Sequence, residues 1–174
     1  MINLLRFFLF LSFIVFYSCN NLHEQHTVLK DNTPKVLIMI SPECPLCINY
    51  TKDITDYIAY YGNEIQFYGV VSGNHYTKHE VDCFLNTYSL ALDIIYDPDF
   101  NLITHLDATI TPEVYFIDEH NEILYQGLFD NWLGELGRRR QVITEYYLKD
   151  AIDSYLVGTT IETPKTKAIG CFIE

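Results

Sequence analysis

Cysteine is the residue type here with the most chemistry to offer. The chain has 174 residues and five cysteines, at positions 19, 44, 47, 83 and 171. Two of them form Cys44-Pro-Leu-Cys47. A continuous apolar run precedes the motif and helical spacing follows it, so it falls where a buried strand gives way to a helix. The unpaired amides and the macrodipole at a helix N-terminus favour a thiolate. Pro45 suits the first helical position, where its missing N–H costs little. Cys44 is therefore expected near the cap as the attacking nucleophile. Cys47, one turn further in, is expected to resolve the mixed disulfide. Zinc would need a second pair of Cys or His ligands, and no second C-x-x-C exists. His75 and His79 stand at i, i+4 on a polar segment that reads as solvated surface. Neither a metal nor a cofactor is expected.

The elements that must position this pair are legible from periodicity. Lys35 to Ile40, between Pro34 and Pro42, reads as a buried central strand. Pro45 to Tyr61 carries Cys47, Ile48, Tyr50, Ile54, Tyr57, Ile58 and Tyr61 at helical spacing, and Gly62 stops it. Ile65 to Val71 is a second strand and Thr77 to Leu90 a second helix, with Val81, Phe84, Leu85 and Tyr88 on one face. Ile94 to Tyr96 is a short strand, and Phe100 to Ala108 a short helix. Pro112 to Asp118 and Glu122 to Gly127 alternate around a turn at Glu119-His-Asn121, which predicts a hairpin. Phe129 to Arg140 reads as a loop. Gln141 to Val157 is predicted as a final helix whose apolar stripe includes Val142, Tyr146 and Ile152. Strands alternating with helices predict an α/β fold, a central mixed sheet flanked by helices.

The ends and the composition bound the rest. Arg6 followed by the apolar run Phe7 to Phe16 predicts a signal peptide over 1–18. The stretch from Leu4 to Tyr17 is shorter than the roughly 20 residues that cross a membrane. Ser18 before Cys19 resembles the bacterial lipobox, which implies cleavage after Ser18 and lipid on Cys19. The polar tether 19–33, the folded domain 34–158 and the tail 159–174 follow. The expected location is the bacterial cell envelope, anchored by lipid to a membrane and facing a compartment such as the periplasm, where disulfides persist. A hydrophobic fraction of 49% with 15% aromatics excludes intrinsic disorder. A formal charge of −12 excludes nucleic acid, because phosphate binding needs a basic face.

With these elements in order, the chain resembles the thioredoxin superfamily, in its redoxin branch of exported thiol–disulfide proteins. Ser41-Pro-Glu-Cys-Pro-Leu-Cys47 after the first strand, Thr111-Pro112 opening the hairpin, and the closing helix carry the resemblance, which covers about 34–158. It implies that Pro112 is cis and faces the C-x-x-C, with Thr111 free to pair with a bound peptide. The long gap between Cys47 and Thr111 implies an inserted helix and strand, as in membrane-tethered reductases and peroxiredoxins. Glu43 stands where thioredoxin has Trp, and the first strand lacks thioredoxin's acidic residue, so reductant and oxidant both stay open. The peroxiredoxin pattern P-x-x-x-(T/S)-x-x-C is met at Ser41 but has Leu37 in place of its proline. Copper-delivery proteins of this fold space their cysteines C-x-x-x-C with a distant histidine, and His105 reads as helix surface.

The reading is a thiol–disulfide oxidoreductase acting on exported proteins. Its partners are disulfide- or dithiol-containing proteins, a redox partner and the bilayer. A thiol peroxidase and a non-catalytic copper- or partner-binding module are the alternatives. Cys83, beside Phe84, is expected to be a buried, inert thiol. Cys171 follows Gly170 in the tail; pairing with Cys83, service as a third redox thiol, or no pairing all stay open, with an accessory thiol as the working assignment. Arg138-Arg139-Arg140 reads as a solvated helix start.

Overall fold

A computed structural model describes residues 32–135 and 138–173. The expected signal peptide, tether and lipidated Cys19 lie outside the described residues. The elements, in chain order, are β1 (Lys35–Met39), α1 (Pro45–Tyr61), β2 (Gln66–Ser72), α2 (Lys78–Thr87), β3 (Asp93–Asp97), α3 (Asn101–Leu106), β4 (Ile110–Thr111), β5 (Glu113–Ile117), β6 (Ile123–Gly127), β7 (Leu133–Glu135), β8 (Arg138–Arg139), α4 (Tyr147–Val157) and β9 (Cys171–Phe172).

Five strands form one sheet in the order β3-β2-β1-β5-β6. β1 pairs with β2 and β2 with β3 in parallel, while β5 runs antiparallel to both β1 and β6. The mixed α/β sheet is the one expected, and the inserted strand is β3, at the sheet's edge. β1 is buried along its whole length, as its unbroken apolar run requires. β5 is buried throughout as well, rather than on alternate residues, because both of its faces are covered. Val36 and Ile38 sit opposite Phe116 and Val114, and these side chains join Ile54 of α1 and Leu148 and Ile152 of α4 in one core. Each fully buried aliphatic side chain there contributes about 2 kcal/mol.

Several boundaries differ from the sequence expectation, each for a tertiary reason. α4 begins at Tyr147, not Gln141, because residues 144–148 are bonded to the preceding loop. Asn131 donates from Nδ2 to Thr144 Oγ1 (2.7 Å) and accepts from the Thr144 amide (3.0 Å). The Asn131 and Leu148 amides donate to Glu145 O and Phe129 O. Val142 and Tyr146 are consequently exposed rather than part of the apolar stripe. The stretch expected to be a loop contains the small β7–β8 pair. Arg138 and Arg139 are strand residues, not a helix start, and the Arg139 guanidinium lies 5.1 Å from the Trp132 ring centroid. α2 ends at Thr87, and Ser89 turns into the left-handed region at φ 51°. Cys83 is exposed, against expectation. The buried face of α2 is Val81 and Phe84, and Cys83, two residues from Val81 at 100° per residue, points away from it.

The tail lies against the strands that precede it. Gln126 donates to Pro164 O and accepts from the Thr166 amide at 3.0 and 2.9 Å. Gly127 has φ 140°, and a Cβ there would lie 2.1 Å from Thr166 Oγ1, so only glycine lets the tail lie so close to β6. Beyond this point the chain crosses to pair β9 with β4 in antiparallel register, Ile110 opposite Phe172 and Thr111 opposite Cys171.

Candidate active site

Two helices follow strands at the same end of the sheet, and of the two only α2 caps its own N-terminus. Thr77 accepts from the Glu80 amide while Glu80 reaches back to the Thr77 amide, a full capping box. α1 has no such cap. Cys44 is its N-cap residue, extended at φ −74°, ψ 114°, with no side-chain bond to the helix amides and with Pro45 in the first turn. The Cys44 carbonyl accepts from the Ile48 amide, which fixes the thiol at the mouth of the helix.

Around that thiol the structure gathers residues far apart in sequence. Cys44 Sγ lies 3.4 Å from the Thr111 carbonyl oxygen and 3.0 Å from Cys171 Sγ. The Thr111–Pro112 peptide bond is cis. Cys47 is 1% exposed and Cys44 only 2%. The four described cysteines are free thiols. A hydrogen bond from the Cys47 thiol, with smaller contributions from Cys171, the Cys47 amide and Thr111, outweighs burial and lowers the Cys44 pKa to about 4. Burial first, and then the Cys44 thiolate beside it, pushes Cys47 well above the ordinary thiol range. The same two causes raise Cys171 to about 11. One thiolate is thus shared among three sulfurs and resides on Cys44.

A pocket of about 190 Å³ opens beside the thiol, bounded in part by Ser41, Cys44, Tyr76, Thr111, Cys171 and Phe172. Tyr76 and Gly170 belong to this site and escaped the sequence reading. Tyr76 Oη lies 2.9 Å from Ser41 Oγ, a contact with no signal in spacing. Among the described residues, Asp118, Glu119 and His120 at the hairpin turn form a group of three side chains able to share an ion. Asp118 there already accepts the His120 and Glu122 amides. His75, His79 and His105 are exposed, and Cys83 Sγ lies 3.7 Å from His79 Nε2, one turn away on the same helix.

The sequence pattern described as the AhpC/TSA family matches residues 16–126. A comparison with curated proteins returns no match. Among solved structures, a hypothetical protein from Sinorhizobium meliloti aligns over 84% of this chain and 82% of its own, at 22% identity and a TM-score of 0.72. An uncharacterized conserved protein from Geobacillus kaustophilus aligns over 84% and 79%, at 19% identity and the same TM-score, 0.72. The thioredoxin domain of a thiol-disulfide oxidoreductase from Bacteroides vulgatus covers 57% of this chain and 72% of that one, at 14% identity and a TM-score of 0.50. These likenesses give the fold, which is thioredoxin-like.

Proposed function

The chain belongs to the AhpC/TSA family, and from that premise we propose that it is a thiol–disulfide oxidoreductase acting on exported proteins. The observation that carries this reading is Cys44 at the uncapped opening of α1, with Cys47 buried directly behind it. The thiolate form of Cys44 is held by hydrogen bonds that a disulfide does not need. Cys44 attacks one sulfur of a substrate disulfide, forms a mixed disulfide and expels the other substrate sulfur as a thiolate. Cys47 then attacks Cys44 Sγ and releases the substrate fully reduced. The timing is built in. The Cys44 charge that helps keep Cys47 protonated disappears once Cys44 is in the mixed disulfide, so Cys47 becomes easier to ionise at the step that needs it. Thr111 and Pro112 offer backbone to the bound peptide. Run in reverse, the same steps oxidise a dithiol substrate.

Export by the 1–18 segment and anchoring through lipid on Cys19 complete the proposal, and set the protein to work in the cell envelope on folded or folding exported chains. A peroxidase is the competing reading within the family. Its hydroxyl position is held by Ser41, whose Oγ is engaged by Tyr76, and its proline position by Leu37, fully buried in β1. The test measures insulin-disulfide reduction and hydrogen peroxide consumption by the purified full chain and by Cys44→Ser. Insulin reduction by the wild type and its loss in the variant are expected. A folded wild type that exchanges disulfides in neither direction, or one that consumes peroxide instead, overturns the proposal.

A further inference from the structure

The nucleophile of an exchange enzyme must be reachable, yet Cys44 is 2% exposed. The chain's own C-terminal strand lies against it. β9 lies antiparallel on β4 with Cys171 directly opposite Thr111, the residue before the cis proline. The Ile173 amide extends the pairing by donating to Thr109 O at 3.0 Å. Cys171 Sγ then stands 3.0 Å from Cys44 Sγ. A cysteine-bearing strand paired with Thr111 is the arrangement that the proposed function assigns to a substrate peptide. The seat is shaped for this tail, because a Cβ on Gly170 would lie 2.1 Å from the Thr111 carbonyl oxygen. The strand pairing, with the close approach of Gly170 to Thr111 that it entails, holds the Cys171 thiol against the nucleophile.

We propose that the C-terminal strand is a tethered substrate, and that Cys171 is a third redox residue which forms an internal disulfide with Cys44. The inference rests on Cys44 acting as the nucleophile. With a small-molecule disulfide such as oxidised glutathione, the Cys44 thiolate attacks one sulfur and expels one glutathione thiolate. Cys171 releases its proton to solvent, attacks Cys44 Sγ and expels the second glutathione thiolate. Two protein thiols become one disulfide, and one glutathione disulfide becomes two thiols. Cys47 attack on Cys44 Sγ then breaks the Cys44–Cys171 bond, forms Cys44–Cys47 and returns a proton to Cys171, with no net oxidation. Protein substrates compete with β9 for the same backbone.

The test oxidises the full chain carrying Cys47→Ala, and separately Cys47→Ser, with oxidised glutathione, quenches in acid, alkylates free thiols and maps the cross-links by peptide mass. Two variants guard against one of them misfolding. A Cys44–Cys171 disulfide is expected in either, and adding Gly170→Ala lowers its yield several-fold. Glutathione retained on Cys44 with Cys171 alkylated overturns the inference. In the otherwise wild-type chain, Gly170→Ala is expected to lower the apparent KM for a protein disulfide by about tenfold, as for a seat nine-tenths occupied by the tail. An unchanged KM overturns it too. The cross-link requires no protein substrate, so it forms even if insulin reduction fails. Conversely, insulin reduction without the cross-link removes only the tethered strand.

Discussion

Helices α1 and α2 leave the same sheet in the same way and solve their N-termini oppositely. α2 satisfies its first amides with Thr77 and Glu80 and carries its cysteine, Cys83, on the outer face. α1 has a cysteine at its N-cap position and none of the side-chain capping that α2 has. Capping contributes about 1 kcal/mol, so α1 forgoes stability in exchange for an electropositive seat that favours thiolate over thiol. The comparison also separates exposure from reactivity. Among the described residues, the cysteine most open to solvent has a histidine of its own helix beside it, whereas the buried one has two thiols and a carbonyl around it.

The contrast can be broken at either helix. The largest expected effect is at Cys44→Ser, which removes the nucleophile and installs a preferred N-cap. Exchange should fall about a thousandfold or more, while the melting temperature holds or rises; insulin reduction and a thermal melt on one preparation check both. A parallel loss of stability would mean that α1 had not been left uncapped. Next comes the pH profile of Cys44 alkylation by iodoacetamide, followed in Gly170→Ala to open access. A lowered thiol pKa leaves thiolate present above it and lost as pH falls through it, so the rate should climb with pH around a midpoint well below the ordinary thiol range, held there by the Cys47 hydrogen bond even with Cys171 displaced. In Cys47→Ala, which deletes the largest cause of that lowering, the midpoint should move up by about one unit or more, roughly tenfold in reactivity at low pH. A midpoint indifferent to the Cys47 side chain would assign the effect to the helix N-terminus and Thr111 instead.

At the other helix the effects are smaller and fall on stability. Thr77→Ala should cost about 1 kcal/mol and about 3 °C in melting temperature for a domain of this size, with insulin reduction unchanged. Cys83→Ser should alter stability by less than about 0.5 kcal/mol and leave exchange rates as they are. A loss of activity there would show that α2 contributes to the chemistry after all.

Legibility followed the range over which each signal acts. The strand–motif–helix junction around Cys44 could be read because burial of β1 demands an unbroken apolar run and α1 demands 3.6-residue spacing. The hairpin of β5 and β6 was equally plain from its turn, where Asn121 adopts φ 66°. The start of α4 was not, since the side chain of Asn131 decides it from outside the helix by bonding Thr144. Cys83 was misjudged because its neighbour Phe84 is buried, and adjacency in a helix is not a shared face. Tyr76 at Ser41 and the close approach of Gly170 to Thr111 are contacts between segments with no common periodicity.

The sequence alone determined that two cysteines stand one helical turn apart at the end of a buried strand, because both the strand and the helix write their periods into local residue order. It also determined that Thr111-Pro112 opens the next core strand. Tertiary structure decided where the lone tail cysteine goes. A two-residue strand has no period to read, and Cys171 and Cys44 are separated by 127 positions. Their meeting depends on backbone pairing at Thr111 and on the room that Gly170 leaves beside it.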